Sequence, residues 1–369
     1  MERHEADMRR ALELAERGWG RVSPNPLVGA IVRSSAGDVV GEGWHEGPGT
    51  PHAEAVALSL AGADGRGATV ISTLEPCNRF GRTPPCTTAL IEAGVARVIV
   101  GATDPDLGGG APGIAELHGA GIEVVTGVLG AECRALNEAF EHHVMTGRPF
   151  VILKSAASLD GKTAAADGSS RWITSDEARA DVQRLRAWSD AVAVGSGTVI
   201  ADDPSLTVRD GRYADARPPR RVVVDSTGRI SARARVFDGS APTLVATTDR
   251  TPPDRVSAWE EAGAEVVVID RNEAGRVSIP GLLAALGKRD VQGMLLEGGA
   301  KLAWAFVDGG LVDRFVFYLA PKVIGGEQAP GVVAGAGFMP VGAALALAFE
   351  RVERIGPDLK VVARVHGHR

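Results

Sequence analysis

The hydrophobic positions of the first 147 residues follow two periods that alternate along the chain. Residues 5–18 have apolar side chains on one helical face, and Gly18 marks where that helix should end. Residues 28–32 form a nearly continuous apolar run, which is typical of a strand buried on both faces. Further segments alternate in the same way, with helices at 52–61, 114–120 and 131–145 and strands at 68–75, 95–102 and 122–128. We predict a layered α/β domain with a largely parallel sheet.

The pattern restarts after Gly147, where the segment T-G-R-P-F interrupts the last helix. Residues 150–157 predict a strand that ends at Lys154, and Thr174 with Glu177 forms a capping box for a helix reaching about Trp188. Strand patterns then recur at 191–195, 221–225, 243–247, 265–269, 291–297, 314–320, 346–352 and 358–365. We therefore predict two α/β domains, residues 1–147 and 148–369, each large enough to bury its own core.

Composition and charge narrow the function classes. The chain has 369 residues, of which 44% are hydrophobic and 23% charged, and it has no apolar run near the ~18 residues that a membrane helix needs. Its charged N-terminus does not resemble a secretory signal, so we expect a cytoplasmic protein with no membrane partner. Residues 1–147 carry a net charge of −8 and the remainder +2. Because nucleic acid requires a basic surface, the acidic first half favours a small-molecule substrate.

The candidate chemistry is concentrated between Thr50 and Cys86. His52, Cys77 and Cys86 offer one imidazole and two thiolates, a set that suits Zn²⁺ with its fourth position open. Glu54 is placed to move protons for a water activated there. H-x-E followed by P-C-x-x-C is the signature of zinc nucleobase deaminases. Here eight residues rather than two separate the cysteines, so we predict that residues 78–85 form part of the substrate site.

Local signals support this grouping. Thr50 as N-cap and Pro51 as first helical residue would put His52 and Glu54 in a first helical turn, and a second helix should start near Cys86. Taken separately, H-A-E is an ordinary helix start, and two cysteines form a buried pair or a closed structural zinc site. The two halves in order favour a catalytic zinc site.

Other residues carry weaker signals. Cys133 lies in an amphipathic helical stretch and is interpreted as a small core residue. Asn25, held between two prolines beside a strand edge, is a candidate for substrate contact or a plain turn residue. Arg79 and Arg82 could bind a substrate phosphate or could be solvated loop residues.

Two glycine turns in the second half could bind phosphate. Gly298 and Gly299 separate an apolar strand from a helix, and residues 193–198 have a similar arrangement. Each could equally be tight packing. Glu297 is more informative, because a carboxylate at the end of an apolar strand is costly to bury without a function.

With these residues in hand, the chain resembles a known family over nearly its whole length. The stretches that carry the resemblance are S-P-N-P-L-V-G, P-H-A-E, E-P-C-N-R-F-G-R-T-P-P-C, S-L-D-G-K-T-A, W-I-T-S, A-D-D-P-S-L-T-V-R and L-E-G-G. The family is that of the bifunctional riboflavin-biosynthesis proteins, which join a pyrimidine deaminase to a reductase. The resemblance implies a cytidine-deaminase-like three-layer α/β/α domain followed by a dihydrofolate-reductase-like α/β domain.

The resemblance also implies an activity for each domain. The first would use Zn²⁺ to remove the 2-amino group of 2,5-diamino-6-(5-phosphoribosylamino)pyrimidin-4-one, and the second would use NADPH to convert the ribosyl group to ribityl. We expect a homo-oligomer. In the first domain the resemblance implies His52, Cys77 and Cys86 as metal ligands, with Glu54 as the catalytic proton shuttle. Asn25, Arg79 and Arg82 remain candidates for substrate contact.

In the second domain the resemblance assigns three groups of residues. Those implied in catalysis are Lys154, Asp202 and Glu297. Those matching cofactor positions are Ala156, Trp172, Thr198, Asp202, Ser226, Gly299, Ala300, Lys301, Leu302, Ala303, Trp304 and Ala305. Those matching substrate positions are Ser170, Arg186, Leu206, Arg209 and Glu297.

The chain departs from the family pattern at two places. Arg79 stands where the family usually has His or Lys, and D-P-N-P is replaced by D-P-D-L, with Asp106 and Leu107. Two alternatives remain open at this point. One is a zinc deaminase of a nucleoside or of guanine whose second half has lost reductase activity; the other is a zinc-stabilised module that binds nucleotides without turnover.

Overall fold

The computed structural model describes residues 2–107 and 112–366. The chain forms two compact units, Met1–Gly147 and Arg148–Arg369. Within the described residues, no helix is both long enough and apolar enough to cross a membrane.

The first unit has six described helices around five strands. The helices are α1 (Glu2–Ala15), α2 (Ala53–Ala61), α3 (Cys86–Ala93), α4 (Pro112–Gly119), α5 (Gly130–Leu136) and α6 (Glu138–Thr146). The strands are β1 (Gly29–Arg33), β2 (Val39–Trp44), β3 (Thr69–Leu74), β4 (Arg97–Ala102) and β5 (Glu123–Thr126).

The sheet of the first unit has the order β2-β1-β3-β4-β5 and is mixed. Strands β3, β4 and β5 are parallel, but β1 is antiparallel to both of its neighbours. The prediction of a largely parallel sheet is therefore wrong for this side of the sheet. For the β1–β2 pair the cause is local: a tight turn at residues 34–38 returns the chain from β1 directly into β2, which makes the two strands antiparallel.

Helices cover both faces of this sheet and give three layers. On one face Met8, Ala11 and Leu14 of α1 pack with Ile31 and Ile71. On the other face α2 and α3 pack on alternate strand residues, among them Ala30, Val32, Val70 and Val98. The three-layer α/β/α prediction is confirmed, as is the burial of β1 on both faces. Cys133 lies in the first of these clusters, as expected of a small core residue.

The helix predicted at 131–145 is two helices, broken at Asn137. Asn137 Oδ1 accepts a hydrogen bond from Leu27 N at 2.7 Å, and Asn137 Nδ2 donates to Leu27 O at 2.8 Å. A buried amide side chain thus satisfies both backbone groups of a loop residue 110 positions away. The break therefore secures the loop that carries Asn25 to β1.

The second unit is built on a nine-stranded sheet. Its strands are β6 (Phe150–Ser158), β7 (Ala191–Gly195), β8 (Arg220–Val224), β9 (Thr243–Thr247), β10 (Glu265–Val268), β11 (Gly293–Glu297), β12 (Arg314–Ala320), β13 (Leu347–Ile355) and β14 (Asp358–Val365). Its helices are α7 (Asp176–Trp188), α8 (Ser196–Asp202), α9 (Pro253–Glu261), α10 (Ile279–Gly287) and α11 (Ala300–Asp308). The strand order is β10-β9-β8-β7-β11-β6-β12-β14-β13.

Seven strands of this sheet, from β10 to β12, are parallel, and the C-terminal hairpin β13–β14 adds two antiparallel strands at one edge. Because parallel strands end at the same edge, the turns after β7, β8 and β11 lie on one side of the sheet. This arrangement groups the ends of β7 and β11, Gly195 and Glu297, which are far apart in sequence.

Two boundaries differ from the predictions. Strand β6 does not end at Lys154 but continues to Ser158, because residues 155–158 pair with β12. The cap of α7 is Ser175 and not Thr174: Ser175 Oγ accepts a hydrogen bond from Ala178 N at 3.2 Å. Lys154 is therefore an interior strand residue held between two neighbouring strands.

Candidate active sites

Three elements bring the predicted metal ligands together. Cys77 follows β3, Cys86 is the first residue of α3, and His52 is the N-cap residue that immediately precedes α2. Thr50 is not the N-cap as predicted, since its hydroxyl donates to Gly47 O and closes a preceding turn. His52 therefore stands just outside the helix, and only Glu54 lies in the first turn.

The three donor atoms form one cluster. The ligand atoms of His52, Cys77 and Cys86 all lie within 4.8 Å of one another. His52 Nδ1 is 3.4 Å from Cys77 Sγ and 3.3 Å from Cys86 Sγ. Zinc bonds of about 2.0–2.1 Å to nitrogen and 2.3 Å to sulfur, at tetrahedral angles, require a nitrogen–sulfur separation of about 3.5 Å. The observed separations fit a shared zinc ion.

The surroundings also favour thiolate character at this cluster. A side-chain hydrogen bond from Cys86, together with the neighbouring His52, lowers the pKa of Cys77 to about 4. The same hydrogen bond, together with burial, raises the pKa of Cys86. The Cys86 backbone N–H also points to Cys77 Sγ at 3.4 Å. One thiolate is thus stabilised by the protein alone, and a divalent cation would stabilise the pair.

Glu54 lies beside this cluster and is almost completely buried. Its Oε1 accepts a hydrogen bond from Ser72 Oγ at 3.1 Å, and its Oε2 is 3.4 Å from Cys86 Sγ. Burial raises the pKa of this carboxyl group. Glu54 therefore has a carboxyl group that is oriented by Ser72 of β3 and whose pKa is raised. These are the properties of a proton shuttle.

Asn25 reaches the cluster through His45, a residue that the sequence reasoning missed. Asn25 Nδ2 lies 2.9 Å from His45 Nε2, and His45 Nδ1 lies 3.3 Å from Pro51 O. The rings of His45 and His52 meet edge to face, with centroids 5.3 Å apart. Burial lowers the pKa of His45, which favours the neutral ring that donates to Pro51 and accepts from Asn25.

The two departures from the family pattern contact each other. The Arg79 guanidinium donates to Asp106 O, and it lies 3.6 Å from the Asp106 carboxylate. Both side chains are more than half exposed, so this pair contributes at most about 1 kcal/mol. Arg82 is exposed in the same loop. Arg79, in the loop between the two cysteines, is therefore held only weakly by Asp106.

Glu75, in E-P-C, is a second residue that the sequence reasoning missed. Its Oε1 accepts from Gly113 N at 2.9 Å and Ile114 N at 3.2 Å, and its Oε2 accepts from Asp104 N at 3.2 Å. The buried carboxylate thus caps α4 and holds the loop that leads to Asp106. Burial raises the pKa of Asp104 in this loop to about 6. The signal for Glu75 was its position, a carboxylate ending an apolar strand.

In the second unit, Glu297 is the centre of a buried ion cluster. Arg186 donates to it twice, from Nε at 2.6 Å and from Nη2 at 2.9 Å, and Lys154 Nζ lies 3.9 Å away. Lys154 and Glu297 are register partners on β6 and β11, which explains their proximity. Burial acts to raise the pKa of Glu297, but the charges of Arg186 and Lys154 outweigh it and lower that pKa to about 2. Burial lowers the pKa of Lys154.

The two glycine turns, each weak in sequence, lie side by side. Gly298 and Gly299 have φ values of 73° and 85°, which a side chain would strain. A Cβ atom at Gly299 would lie 3.3 Å from Thr198 Oγ1, in the first turn of α8, which follows β7. The hydroxyl of Thr198 and the backbone of Gly299 therefore border one narrow space at the start of α11, which suits an anion.

Only part of the predicted segment 299–305 faces this space. The N–H groups of Leu302 and Ala303 already donate to Gly299 O, and Ala303 is buried in the core. Trp304 packs against Phe338, with ring centroids 5.1 Å apart. Ala305 packs against the core. This favours Gly299, Ala300 and Lys301 as the residues that meet a phosphate.

The other predicted residues of this unit occupy three settings. Ser226 follows β8, and its Oγ accepts a hydrogen bond from Val277 N at 3.0 Å. Leu206 is buried, whereas Asp202 and Trp172 are exposed and Ala156 and Ser170 are half-buried. Arg209 lies near Arg186, and partial burial of its guanidinium, together with the like charge of Arg186, lowers its pKa.

Trp172 lines a cavity of about 330 Å³ in the same unit. The cavity is bordered by residues 172–176, Arg179, Pro321, Lys322, Pro357 and Asp358. The Arg179 guanidinium lies 4.3 Å from the Trp172 ring centroid. The indole is therefore held at a surface opening and not in the core.

A buried polar network that sequence reasoning missed supports α7. Asp181 accepts from Tyr318 Oη at 2.5 Å and pairs with Lys360 Nζ at 2.5 Å. Burial raises the pKa of Tyr318. These bonds tie the helix that carries Arg186 to β12 and β14, so they indirectly hold the Glu297 cluster.

Two family models match the chain. The model of the cytidine and deoxycytidylate deaminase zinc-binding region matches residues 1–102, and that of the RibD C-terminal domain matches residues 149–361.

Curated relatives match over nearly the whole chain. The riboflavin biosynthesis protein RibD of Bacillus amyloliquefaciens is 42% identical over 361 residues, which cover 96% of this chain and 95% of that protein. RibD of Escherichia coli (strain K12) is 40% identical over 362 residues, covering 95% and 96%.

Solved structures agree. Acinetobacter baumannii RibD, form 1, has a TM-score of 0.88 and 36% identity, with 99% of each chain covered. A Thermotoga maritima structure, titled as a diaminohydroxyphosphoribosylaminopyrimidine deaminase and 5-amino-6-(5-phosphoribosylamino)uracil reductase, has a TM-score of 0.86 and 37% identity, with 98% of each chain covered. With its zinc-binding deaminase region and its reductase domain, this chain belongs to the RibD family of bifunctional riboflavin biosynthesis proteins.

Proposed function

We propose that this enzyme carries out two consecutive reactions on one phosphoribosylated pyrimidine. Residues 1–147 hydrolyse the 2-amino group of 2,5-diamino-6-(5-phosphoribosylamino)pyrimidin-4(3H)-one, giving 5-amino-6-(5-phosphoribosylamino)uracil and ammonia. Residues 148–369 then reduce the ribosyl group to ribityl with NADPH. The observation that carries this proposal is the buried Glu54 carboxyl group beside the His52, Cys77 and Cys86 donor cluster.

In the first reaction we assign the proton transfers to Glu54. His52, Cys77 and Cys86 would hold a zinc ion, and that ion would supply the Lewis acid that makes water nucleophilic at neutral pH. Glu54 is proposed to move one proton of the water to the ring nitrogen beside C2 and then to carry the remaining hydroxyl proton to the amino group, so that the C–N bond breaks, ammonia leaves and the ring gains a C=O. The Ser72 hydroxyl, bonded to Glu54 Oε1, orients the carboxyl group for both transfers.

Substrate binding in this unit is assigned to residues around the opening. The Nδ2 of Asn25 is engaged in a hydrogen bond with His45 Nε2. We therefore propose that Asn25 Oδ1 is the atom that contacts the pyrimidine. Arg79 and Arg82 are proposed to bind the phosphate, with Arg79 exchanging its weak contact with Asp106 for the stronger charge of the ligand.

In the second reaction NADPH would supply a hydride to C1 of the sugar, the carbon that bears the exocyclic 6-amino nitrogen, as the bond from this carbon to the ribose ring oxygen breaks and that oxygen takes up a proton. Gly299, Ala300, Lys301 and Thr198 are proposed to hold its phosphates, with Ser226, Asp202 and Trp172 along the same edge. Lys154 is proposed to supply the proton, because burial lowers its pKa and Glu297 holds it in place. Arg186 is engaged by Glu297 and Thr207 O, so we assign the substrate phosphate to Arg209 and the positioning of Glu297 to Arg186.

The test is a coupled assay on the full chain with the diaminopyrimidine as substrate. We expect one ammonia to be released per substrate, followed by oxidation of one NADPH. Ammonia without NADPH oxidation would limit the enzyme to the first reaction, and neither signal with zinc bound would contradict the proposal.

We also propose that the chain works in the cytoplasm as a homo-oligomer. The three cysteines are unpaired, and the two proposed ligands must stay reduced, which suits a reducing compartment. For the assembly we propose strand β13, a nine-residue edge strand with Phe349 74% and Val352 55% exposed. In an antiparallel pair of two copies centred on Val352, Arg351 would face Glu353 of the second copy, so the strand is self-complementary in charge.

Sedimentation velocity tests this interface. Phe349→Glu should shift a dimer to a monomer. Val268→Glu, at a position that is 60% exposed on the opposite edge strand, should not. A wild-type chain that is monomeric at all concentrations, or a Phe349→Glu variant that remains dimeric, would exclude it.

A further inference from the structure

The two ring nitrogens of His52 have different neighbours. Nδ1 faces both thiols, at 3.4 Å from Cys77 Sγ and 3.3 Å from Cys86 Sγ. Nε2 faces away from them and lies 3.3 Å from Thr83 Oγ1. Thr83 belongs to the loop between the two cysteines and was not among the residues that the sequence singled out.

The chemistry of a metal ligand fixes the direction of this second contact. Nδ1 must present a lone pair to bind zinc, so the ring proton of the neutral imidazole must be on Nε2. Nε2–H then donates, and the Thr83 hydroxyl oxygen accepts. If the Thr83 hydroxyl instead donated to Nε2, the ring proton would have to be on Nδ1, where it would block zinc binding.

The loop is built to hold that hydroxyl in place. Gly81 N donates to Thr83 O at 3.2 Å, which closes a turn. Pro84 and Pro85 follow with restricted φ, and Cys86 comes next as the first residue of α3. The Thr83 hydroxyl, which accepts from His52, is therefore held only a few residues before the proposed metal ligand Cys86. On the other side the ring of His45 meets that of His52 edge to face.

We propose that Thr83 is a positioning residue for zinc: its hydroxyl selects the His52 tautomer that exposes Nδ1 and fixes the ring so that Nδ1 meets both thiolates. This inference rests on the proposed ligand set. It assigns a function to the extended spacing between the cysteines, since a two-residue spacing has no room for such a loop.

The test measures the zinc affinity of the full chain by competition with a chromogenic chelator. Thr83→Val keeps the shape but removes the acceptor, and it should weaken zinc binding about 10- to 100-fold. Thr83→Ser restores the hydroxyl and should recover the affinity to within about threefold. Thr87→Val is the matched control, because the Thr87 hydroxyl is buried nearby and makes no hydrogen bond within the described residues. It should bind zinc like the parent.

The outcomes separate this inference from the ligand set. Wild-type zinc affinity in Thr83→Val, or equal losses in Thr83→Val and Thr87→Val, would overturn the role of Thr83. A parent chain that binds no zinc, or a Cys77→Ser variant that binds it normally, would instead refute the ligand set. If Thr83→Val is not folded by circular dichroism, Thr83→Ala at this half-buried position provides the same comparison.

Discussion

Glu297 shows how a single charge can be kept in a core. The side chain is almost completely buried, and desolvation alone would favour its neutral form. Two hydrogen bonds from Arg186 and the nearby Lys154 ammonium reverse that preference. Removing one member of such a cluster leaves an uncompensated charge, which typically costs about 3–5 kcal/mol. The cluster is therefore expected to act as one unit in stability and in catalysis.

The cluster predicts a pH dependence. Because the pKa of Glu297 is lowered to about 2 in the folded chain, its ionised form stabilises the fold above its ordinary pKa of about 4.5. That contribution, on the order of 3 kcal/mol, should be lost as the pH falls from about 4.5 to 2. Urea unfolding of the parent and of Glu297→Gln across this range measures it. The difference between the two should shrink with acid; a constant difference would contradict the assignment.

At the residue scale, the sequence predicted the residues whose type and spacing are characteristic of one kind of chemistry. His52, Cys77, Cys86 and Glu54 are recognisable because their types and spacing are rare in combination. His45, Thr83 and Glu75 were missed because a histidine, a threonine and a strand-end glutamate are common, and only the fold shows which atoms they face. Their roles depend on contacts between segments that spacing cannot reveal.

The helical element interrupted at Asn137 has a testable energetic role. Asn137→Ala should destabilise the first unit by about 2–4 kcal/mol, because it removes two hydrogen bonds and leaves both backbone groups of Leu27 buried without partners. Glu132→Ala, on the exposed side of α5, should change stability by less than about 0.5 kcal/mol. Chemical denaturation of both variants gives the comparison. Equal stabilities would show that the helix break does not secure the Leu27 loop.

The turn between β11 and α11 should be sensitive to a single methyl group. Gly299→Ala would place a Cβ 3.3 Å from Thr198 Oγ1 at a φ of 85°, so we expect the KM for NADPH to rise at least about tenfold while ammonia release is unchanged. Gly310→Ala is the matched control, since Gly310 has a φ of 62° and open space around it. An unchanged KM in Gly299→Ala would exclude this turn as a cofactor site.

At the element scale, strands were predicted well and helix starts less so. The apolar runs that became β3, β4, β7, β9 and β11 are unambiguous, because buried strands tolerate few polar residues. Helix starts depend on which of several adjacent polar residues finds a backbone partner. Thr50 and Thr174 both have cap-forming side chains, yet His52 and Ser175 occupy the cap positions. Sequence alone does not rank such neighbours.

For the whole molecule, the division at residue 147 predicts independent halves. Residues 1–147 and 148–369, expressed separately, should each fold, because each contains its own sheet and core. The first piece should bind zinc and release ammonia from the diaminopyrimidine, and the second should oxidise NADPH with the deaminated substrate. Zinc analysis, circular dichroism and the two assays check this. A second piece that is folded but inactive would mean that its site needs the first half or another chain.

In the proposed function, one chain holds two sites that act in a fixed order. Glu54→Gln tests it most directly, because the amide keeps the size of the side chain but cannot shuttle protons. Zinc content, ammonia release and NADPH oxidation are measured on this variant with each of the two substrates. We predict full zinc content, no ammonia and no NADPH oxidation with the diaminopyrimidine, but parental NADPH oxidation with its deaminated product. Ammonia release near the parental rate, or NADPH oxidation with the substrate that still carries its 2-amino group, would contradict the account.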